Sequence, residues 1–222
     1  MNQVYSSTAA VELELEGLSL ILLPEKAIFV PAEKTLLLAD LHLGKINHFR
    51  LAGIPLPNKA NDENLERLID LINKTRSERV IFLGDLFHSH YNYEWESLGQ
   101  VIAHFPNCEF HLVLGNHDIM SQLQYERHRI KVCEELHMGP LLLTHELIEN
   151  SNKYNLAGHV HPGVRLTGRG KQSVMLPCFY FSKRQGLMPA FGSFTGLARV
   201  AIKREDRVFA IADGKVLDLD NA

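Results

Sequence analysis

Residues able to bind a divalent metal recur at the ends of short apolar runs in this chain. TLLLA (35–39) leads into Asp40-Leu41-His42, RVIFLG (79–84) into Asp85, and HLVLG (111–115) into Asn116-His117-Asp118. LLLT (141–144) leads into His145, and NLAG (155–158) into His159-Val160-His161. A buried strand that stops at a carboxylate or imidazole leaves that group at the rim of its sheet, where several strands can deliver ligands to one point. The donors are hard oxygens and borderline nitrogens, without thiolates. Such a set suits two divalent ions about 3.5–4 Å apart, bridged by one carboxylate, activating water and clamping a phosphate ester. The leaving alkoxide needs a proton, which a histidine beside the metals can supply. Taken singly, each residue has an ordinary reading, such as a helix N-cap for Asp118. Five strand ends that all carry Asp, Asn or His point jointly to a metal site.

The elements that must position these residues are legible as patterns. VELELE (11–16), LSLILL (18–23), AIFV (27–30) and TLLLA read as strands separated by turns. A helix-like stretch follows Gly44, and a second spans Asn61 to Lys74, where Leu65, Leu68, Ile69 and Ile72 share a helical face. A helix is expected around 93–104, then strands at 109–115, 130–135 and 140–144 with a short helix between the first two. From Val164 onward VRLTG, SVMLPCFYF, LARVAIK, RVFAIAD and KVLDLD read as strands. Glycines 84, 115 and 158, each just before a candidate ligand, suit sharp turns. The pattern predicts an α/β fold with two mixed sheets face to face and helices outside. Without repeats or a Gly/Ser/Pro-rich linker, residues 1–222 read as a single domain.

Composition narrows the classes. Net charge is −3 with a pI near 6.5, so bulk charge gives no support to nucleic-acid binding. Cys108, Cys133 and Cys178 are odd in number and lack a CxxC pair, as in reduced cytosolic proteins. The start of the chain lacks a basic segment followed by an apolar run, and no apolar stretch approaches the roughly 20 residues that span a bilayer. The expectation is a soluble, cytoplasmic protein with no membrane partner.

The ordered series Asp40-x-His42, Gly84-Asp85-Leu86-Phe87-His88, Gly115-Asn116-His117-Asp118, His145 and Gly158-His159-Val160-His161 closely resembles the calcineurin-like metallophosphoesterase superfamily. The resemblance implies a four-layer αββα sandwich. It implies one metal on Asp40, His42 and His161, a second on Asn116, His145 and His159, and Asp85 bridging. His117 would be the general acid, oriented by Asp118. More narrowly, LADLHLGK, HFRLAGIPLP, GDLFH and LPCFYF…LMPAFGSFTG are similar to the PdeM-type, DNA-ligase-associated phosphoesterases of bacteria, relatives of the SbcD-type nucleases. GDLFH also resembles the form this motif takes in those nucleases, where the histidine at the position of His88 helps handle the substrate phosphate.

Other residues admit two readings. Lys45 and Arg50 could touch a phosphate or be solvated charges on a helix, and His88 could be an ordinary loop histidine. The run Arg127-His128-Arg129-Ile130-Lys131 reads as a solvated face. Arg165, Arg169 and Lys171, on a hairpin after His161, are better placed to line a substrate groove. Phe179, Tyr180 and Phe181 alternate faces of a strand and read as core, while Phe191 and Phe194 could reach the site from a loop. The leading expectation is a DNA endonuclease or phosphodiesterase that uses two divalent ions, with Mn²⁺ favoured and Fe, Zn, Co or Ni also compatible. It carries a functional link to a DNA ligase. The alternatives are a small-molecule phosphodiesterase or phosphomonoesterase and, with every ligand present, less readily a non-catalytic scaffold.

Overall fold

The computed structural model describes residues 9–44, 59–88, 93–168, 170, 172–193 and 195–219. The first sheet has seven strands in chain order: β1 (Val11–Leu15), β2 (Leu18–Leu23), β3 (Ala27–Val30), β4 (Thr35–Leu38), β5 (Arg79–Leu83), β6 (Glu109–Val113) and β7 (Ile130–Cys133). β1 to β4 are antiparallel neighbours, whereas β4 to β7 run parallel. Parallel neighbours need a crossover. Helices α1 (Lys59–Thr75), α2 (Tyr93–His104) and α3 (Gln122–Arg127) lie in the three crossovers.

The central strands are buried on both faces, which is why they read as continuous apolar runs. Leu36, Leu38, Val80 and Phe82 pack under Leu68, Leu71 and Ile72 of α1 and Trp95, Leu98 and Ile102 of α2. Leu37, Ile81 and Leu83 point the other way and meet the second sheet.

The second sheet uses β8 (Leu136–Met138), β9 (Leu141–Thr144), β10 (Tyr154–Ala157), β11 (Pro162–Thr167), β12 (Ser173–Phe181), β13 (Gln185–Leu187) and β14 (Ala198–Arg199). Their order is β14-β11-β12-β13-β10-β9-β8, and β15 (Arg207–Ala212) joins β12 to β16 (Lys215–Asp218). Leu141, Leu143, Leu156, Phe179 and Phe209 form its inner face.

The expected sandwich of two mixed sheets is present. All three described helices lie outside the first sheet. On the outer face of the second, Val164, Cys178, Val208 and Ala210 are packed by Leu166, Leu176, Tyr180 and Val200 instead of by a helix among the described residues. LARVAIK contributes only the two residues of β14, and Ala201, Ile202 and Lys203 are exposed. β8 and β13, three residues each, are too short to show a period. The stretch expected to be helical after Gly44 lies outside the described residues. Among the described helices none is long and apolar enough to cross a membrane.

Pairing continues past the ends of β4 and β5. Asp40 N–H donates to Gly84 O (3.2 Å), His42 N–H to Asp85 O (2.9 Å), Leu43 N–H to Leu86 O (3.0 Å) and His88 N–H to Leu43 O (2.7 Å). Along these extensions the backbone turns through the left-handed region at Asp40 (φ 53°), His42 (φ 49°) and Asp85 (φ 49°), and after β10 at His159 (φ 63°) and His161 (φ 52°). That region costs a residue with a Cβ about 1–2 kcal/mol, and such strain persists only where the surroundings over-determine it. We therefore predict that, with metals chelated, His159→Gly is about 1 kcal/mol more stable than His159→Ala in urea denaturation, since glycine sheds the strain and returns only part of the gain as unfolded-state entropy. Equal stability would mean that the turn is unstrained.

Candidate metal centre

The strand ends of both sheets meet at one edge and form two adjoining clusters. Asp40, His42 and His161 make one; Asp85, His145 and His159 make the other, with the candidate ligand atoms of each cluster within 4.8 Å of one another. In the first, His42 Nε2 lies 3.2 Å from His161 Nε2, which is 3.5 Å from Asp40 Oδ1. In the second, His145 Nε2 lies 3.0 Å from His159 Nδ1 and 3.4 Å from Asp85 Oδ1. The other oxygen of Asp85 faces the first cluster, 3.8 Å from His42 Nε2. One carboxylate thus presents an oxygen to each cluster.

These residues fit divalent ions. Two N or O ligands bound about 2.0–2.2 Å from one ion are themselves roughly 3.0–3.5 Å apart, the spacing found here. The electrostatics agree. Asp40 is fully buried and Asp85 nearly so (0% and 3% exposed), and burying an unpaired carboxylate is strongly unfavourable. Among the described residues, their ion-pair partners are all histidines: His145 and His161 for Asp40; His42, His117 and His145 for Asp85. Cations between the imidazoles and carboxylates would meet the deficit.

One imidazole is oriented from behind by a backbone carbonyl. The Nδ1 of His145 lies 3.0 Å from Leu83 O; a proton there leaves Nε2 as the free donor atom. His159 points Nδ1 inward, while its Nε2 lies 3.8 Å from the exposed Glu146 carboxylate. Asp40 also accepts the His159 N–H, at 2.9 Å to Oδ2. Of the three glycines expected at sharp turns, only Gly84 is left-handed (φ 75°). Gly115 and Gly158 are required by contact instead, because an added Cβ would lie 2.4 Å from Asp85 Oδ1 and 2.6 Å from Asp40 Oδ2 respectively.

The turn after β6 closes over Asp85. His117 donates its backbone N–H to Asp85 Oδ1 (3.0 Å), and its exposed ring brings Nε2 to 3.9 Å from Asp85 Oδ2. Asn116, also exposed, sits in the same turn, between two residues that touch Asp85. The rings of His88 and His117 are 3.8 Å apart between centroids, and that of His42 is 5.5 Å from His88. Asp118 is buried, and its carboxylate accepts N–H groups from Gly115 (2.9 Å), Leu86 (3.0 Å) and Phe87 (3.2 Å). It therefore bolts the β6 turn, which carries His117, to the β5 extension. Burial pushes its carboxyl up to about 6, against the downward pull of the Gly115 and Phe87 donors. Arg50, with Lys45, Arg169, Lys171 and Phe194, lies outside the described residues.

Sequence reading missed a clamp built by the segment after β13. Phe191 N–H donates to Ala39 O (2.8 Å) and Gly192 N–H to Asp40 O (3.1 Å), so this segment zips onto the backbone that carries Asp40 and His42. A Cβ on Gly192 would lie 2.5 Å from Leu41 O. Arg67 locks the segment from α1. Its guanidinium donates to Phe191 O and Asn64 Oδ1, and lies 4.0 Å above the Phe191 ring. Ser193 donates to the same Asn64 oxygen (2.8 Å). Arg67 lies on α1 and Phe191 more than a hundred residues later, so no local pattern joins them.

The cysteines stand apart from this chemistry. Burial pushes the Cys108 thiol up to about 11 and that of Cys178 up to about 12; neither is a poised thiolate.

Comparison with known proteins agrees with this geometry. A crystal structure of the Pseudomonas putida nuclease MPE is 30% identical and superposes with a TM-score of 0.81, covering 95% of this chain and 100% of that one. The protein of unknown function AQ665 from Aquifex aeolicus (17% identity, 57% of this chain and 78% of that one, TM-score 0.40) and the phosphoesterase Yfce from E. coli (13%, 81% and 88%, 0.39) are more distant. No curated protein sequence matches. The model of the calcineurin-like phosphoesterase family matches residues 33–176, which span every ligand and histidine described above. With two candidate metal clusters inside the matched region, this chain belongs to the calcineurin-like phosphoesterase family, whose members are metal-dependent hydrolases.

Proposed function

We propose that this phosphoesterase is a nuclease that hydrolyses phosphodiester bonds in DNA with two divalent ions, manganese in the first place. The observation that carries the two-ion reading is Asp85, whose oxygens face different histidine clusters. A nucleic-acid substrate is supported by the 30% identity to a nuclease over nearly the whole chain, and the choice of DNA rests on the resemblance of the sequence motifs. A functional link to a DNA ligase is part of the same reading and rests on the resemblance of the sequence motifs.

In this mechanism Asp40, His42 and His161 would hold one ion. His145, His159 and Asn116 would hold the other, with Asp85 serving both sets. Ions held there would supply a nucleophile from water near neutral pH and neutralise charge on the phosphate. His117 holds a proton at the mouth of the site and gives it to the leaving oxygen. Asp118 fixes the turn on which His117 rides, and His88, whose ring lies beside that of His117, is proposed to donate to a phosphate oxygen. Arg50 is proposed as a further phosphate contact.

The net charge of −3 favours a second reading, in which the substrate is a small phosphodiester or monoester. Assays with manganese on single-stranded DNA, nicked duplex, 2′,3′-cyclic nucleotides and nitrophenyl esters separate the two. The nuclease reading predicts DNA cleavage, whereas turnover confined to small esters would sink it. We also predict that His117→Ala binds two equivalents of metal by calorimetry but loses about 10²–10⁴-fold in phosphodiester hydrolysis, the usual worth of a positioned general acid. Full activity in that variant would remove His117 from the mechanism.

A further inference from the structure

The second sheet does not stop at the metal centre. β10 runs up to His159, β11 continues upward from Pro162, and β12 returns antiparallel beside it, so the β11–β12 hairpin projects past the ligands. β14 lies along its other side, parallel to β11, with Ala198 N–H donating to His161 O (3.0 Å). The face this ribbon presents follows from alternation. Phe179 and Phe181 lie on the inner face, so Pro177, Met175 and Ser173 continue that face. Their partners Gly163, Arg165 and Thr167 share it, and so does Arg199, paired with Gly163. Val164 and Cys178 fall on the opposite, outer face. Arg165 and Arg199 are both exposed and so stand on the side of the ribbon that looks across the metal centre. Arg165 is held in place by Ser173 Oγ, at 3.0 Å from Nε and 2.8 Å from Nη2. Two residues along a strand and one strand across separate the two Cα atoms by roughly 8 Å, a span comparable to the step between neighbouring phosphates of an extended strand.

We infer that the β14–β11–β12 ribbon is a docking surface for single-stranded nucleic acid, with Arg199 and Arg165 contacting successive phosphates of the strand that enters the metal centre. This rests on the nuclease reading and identifies residues that would bind substrate away from the scissile bond. The occupant follows from charge: two guanidiniums on an exposed ribbon beside a metal site complement a phosphate backbone, despite the acidic total.

The test compares the full-length wild type with Arg165→Ala/Arg199→Ala. The readouts are the salt dependence of oligo-dT binding, and the ratio of kcat/KM for single-stranded DNA to that for a nitrophenyl diester. Losing two phosphate contacts should flatten the log–log salt slope by about 1.4 and weaken binding about ten-fold or more at moderate salt, with the ratio falling in step. Lys203→Ala/Arg204→Ala removes the same charge beside the start of β15, at the far end of the sheet, and should keep the wild-type slope. Equal slopes in the wild type and the arginine variant would overturn the inference and leave the nuclease reading standing. A wild type that hydrolyses the small diester but neither binds nor cuts the strand would overturn the reading beneath it.

Discussion

Two buried carboxylates set the terms for this structure. Asp40 and Asp85 are removed from water, and among the described residues only histidines pair with them. A carboxylate in that position is tolerable only with positive charge and hydrogen bonds around it. The strand ends are arranged to provide both. Each imidazole offers a donor nitrogen to the space between the carboxylates, and backbone N–H groups of His117 and His159 satisfy the remaining oxygen valences. Cations bound among these groups would complete the balance, making metal affinity and the stability of this edge of the sandwich parts of one equilibrium.

Holding that geometry costs backbone energy, and the cost is met by neighbours in the sequence and far from it. Five candidate ligands occupy left-handed conformations, each at about 1–2 kcal/mol, a substantial demand against a net stability of roughly 5–15 kcal/mol for a typical protein. Three devices hold the turns. The extensions of β4 and β5 keep pairing beyond their strands, Asp118 ties the β6 turn to the β5 extension, and the Phe191–Gly192 segment clamps Ala39 and Asp40. Glycines at 115, 158 and 192 let these backbones approach more closely than any side chain would allow. The strain thereby becomes a property of rigid sheet ends and not of mobile loops, as a preorganised site requires.

The sequence made the candidate ligands legible because each stands directly after a doubly buried strand, and the change from apolar run to Asp or His is local. Asp40, His42, Asp85, His145, His159 and His161 meet as that pattern implies, and His117 and His88 lie beside them. Relations made by backbone groups across long separations were not legible. Nothing in LMPAFGSFTG announces that Phe191 and Gly192 donate to Ala39 and Asp40, or that Arg67 on a helix surface would cap the join. Asp118 shows a subtler limit: its motif position implies that it orients His117, but not that its oxygens accept the backbone N–H groups of Gly115, Leu86 and Phe87. In LARVAIK, alternation imitates a strand although only Ala198 and Arg199 find one to pair with.

Asp85 is proposed to divide its oxygens between two metal ions, and anomalous diffraction at the manganese edge, on crystals of the full chain equilibrated with manganese, would locate both. Two peaks about 3.5–4 Å apart are predicted, one among Asp40, His42 and His161, the other beside His145 and His159, with Asp85 between them. A single peak, or two that do not share Asp85, would rule out a carboxylate shared by two ions.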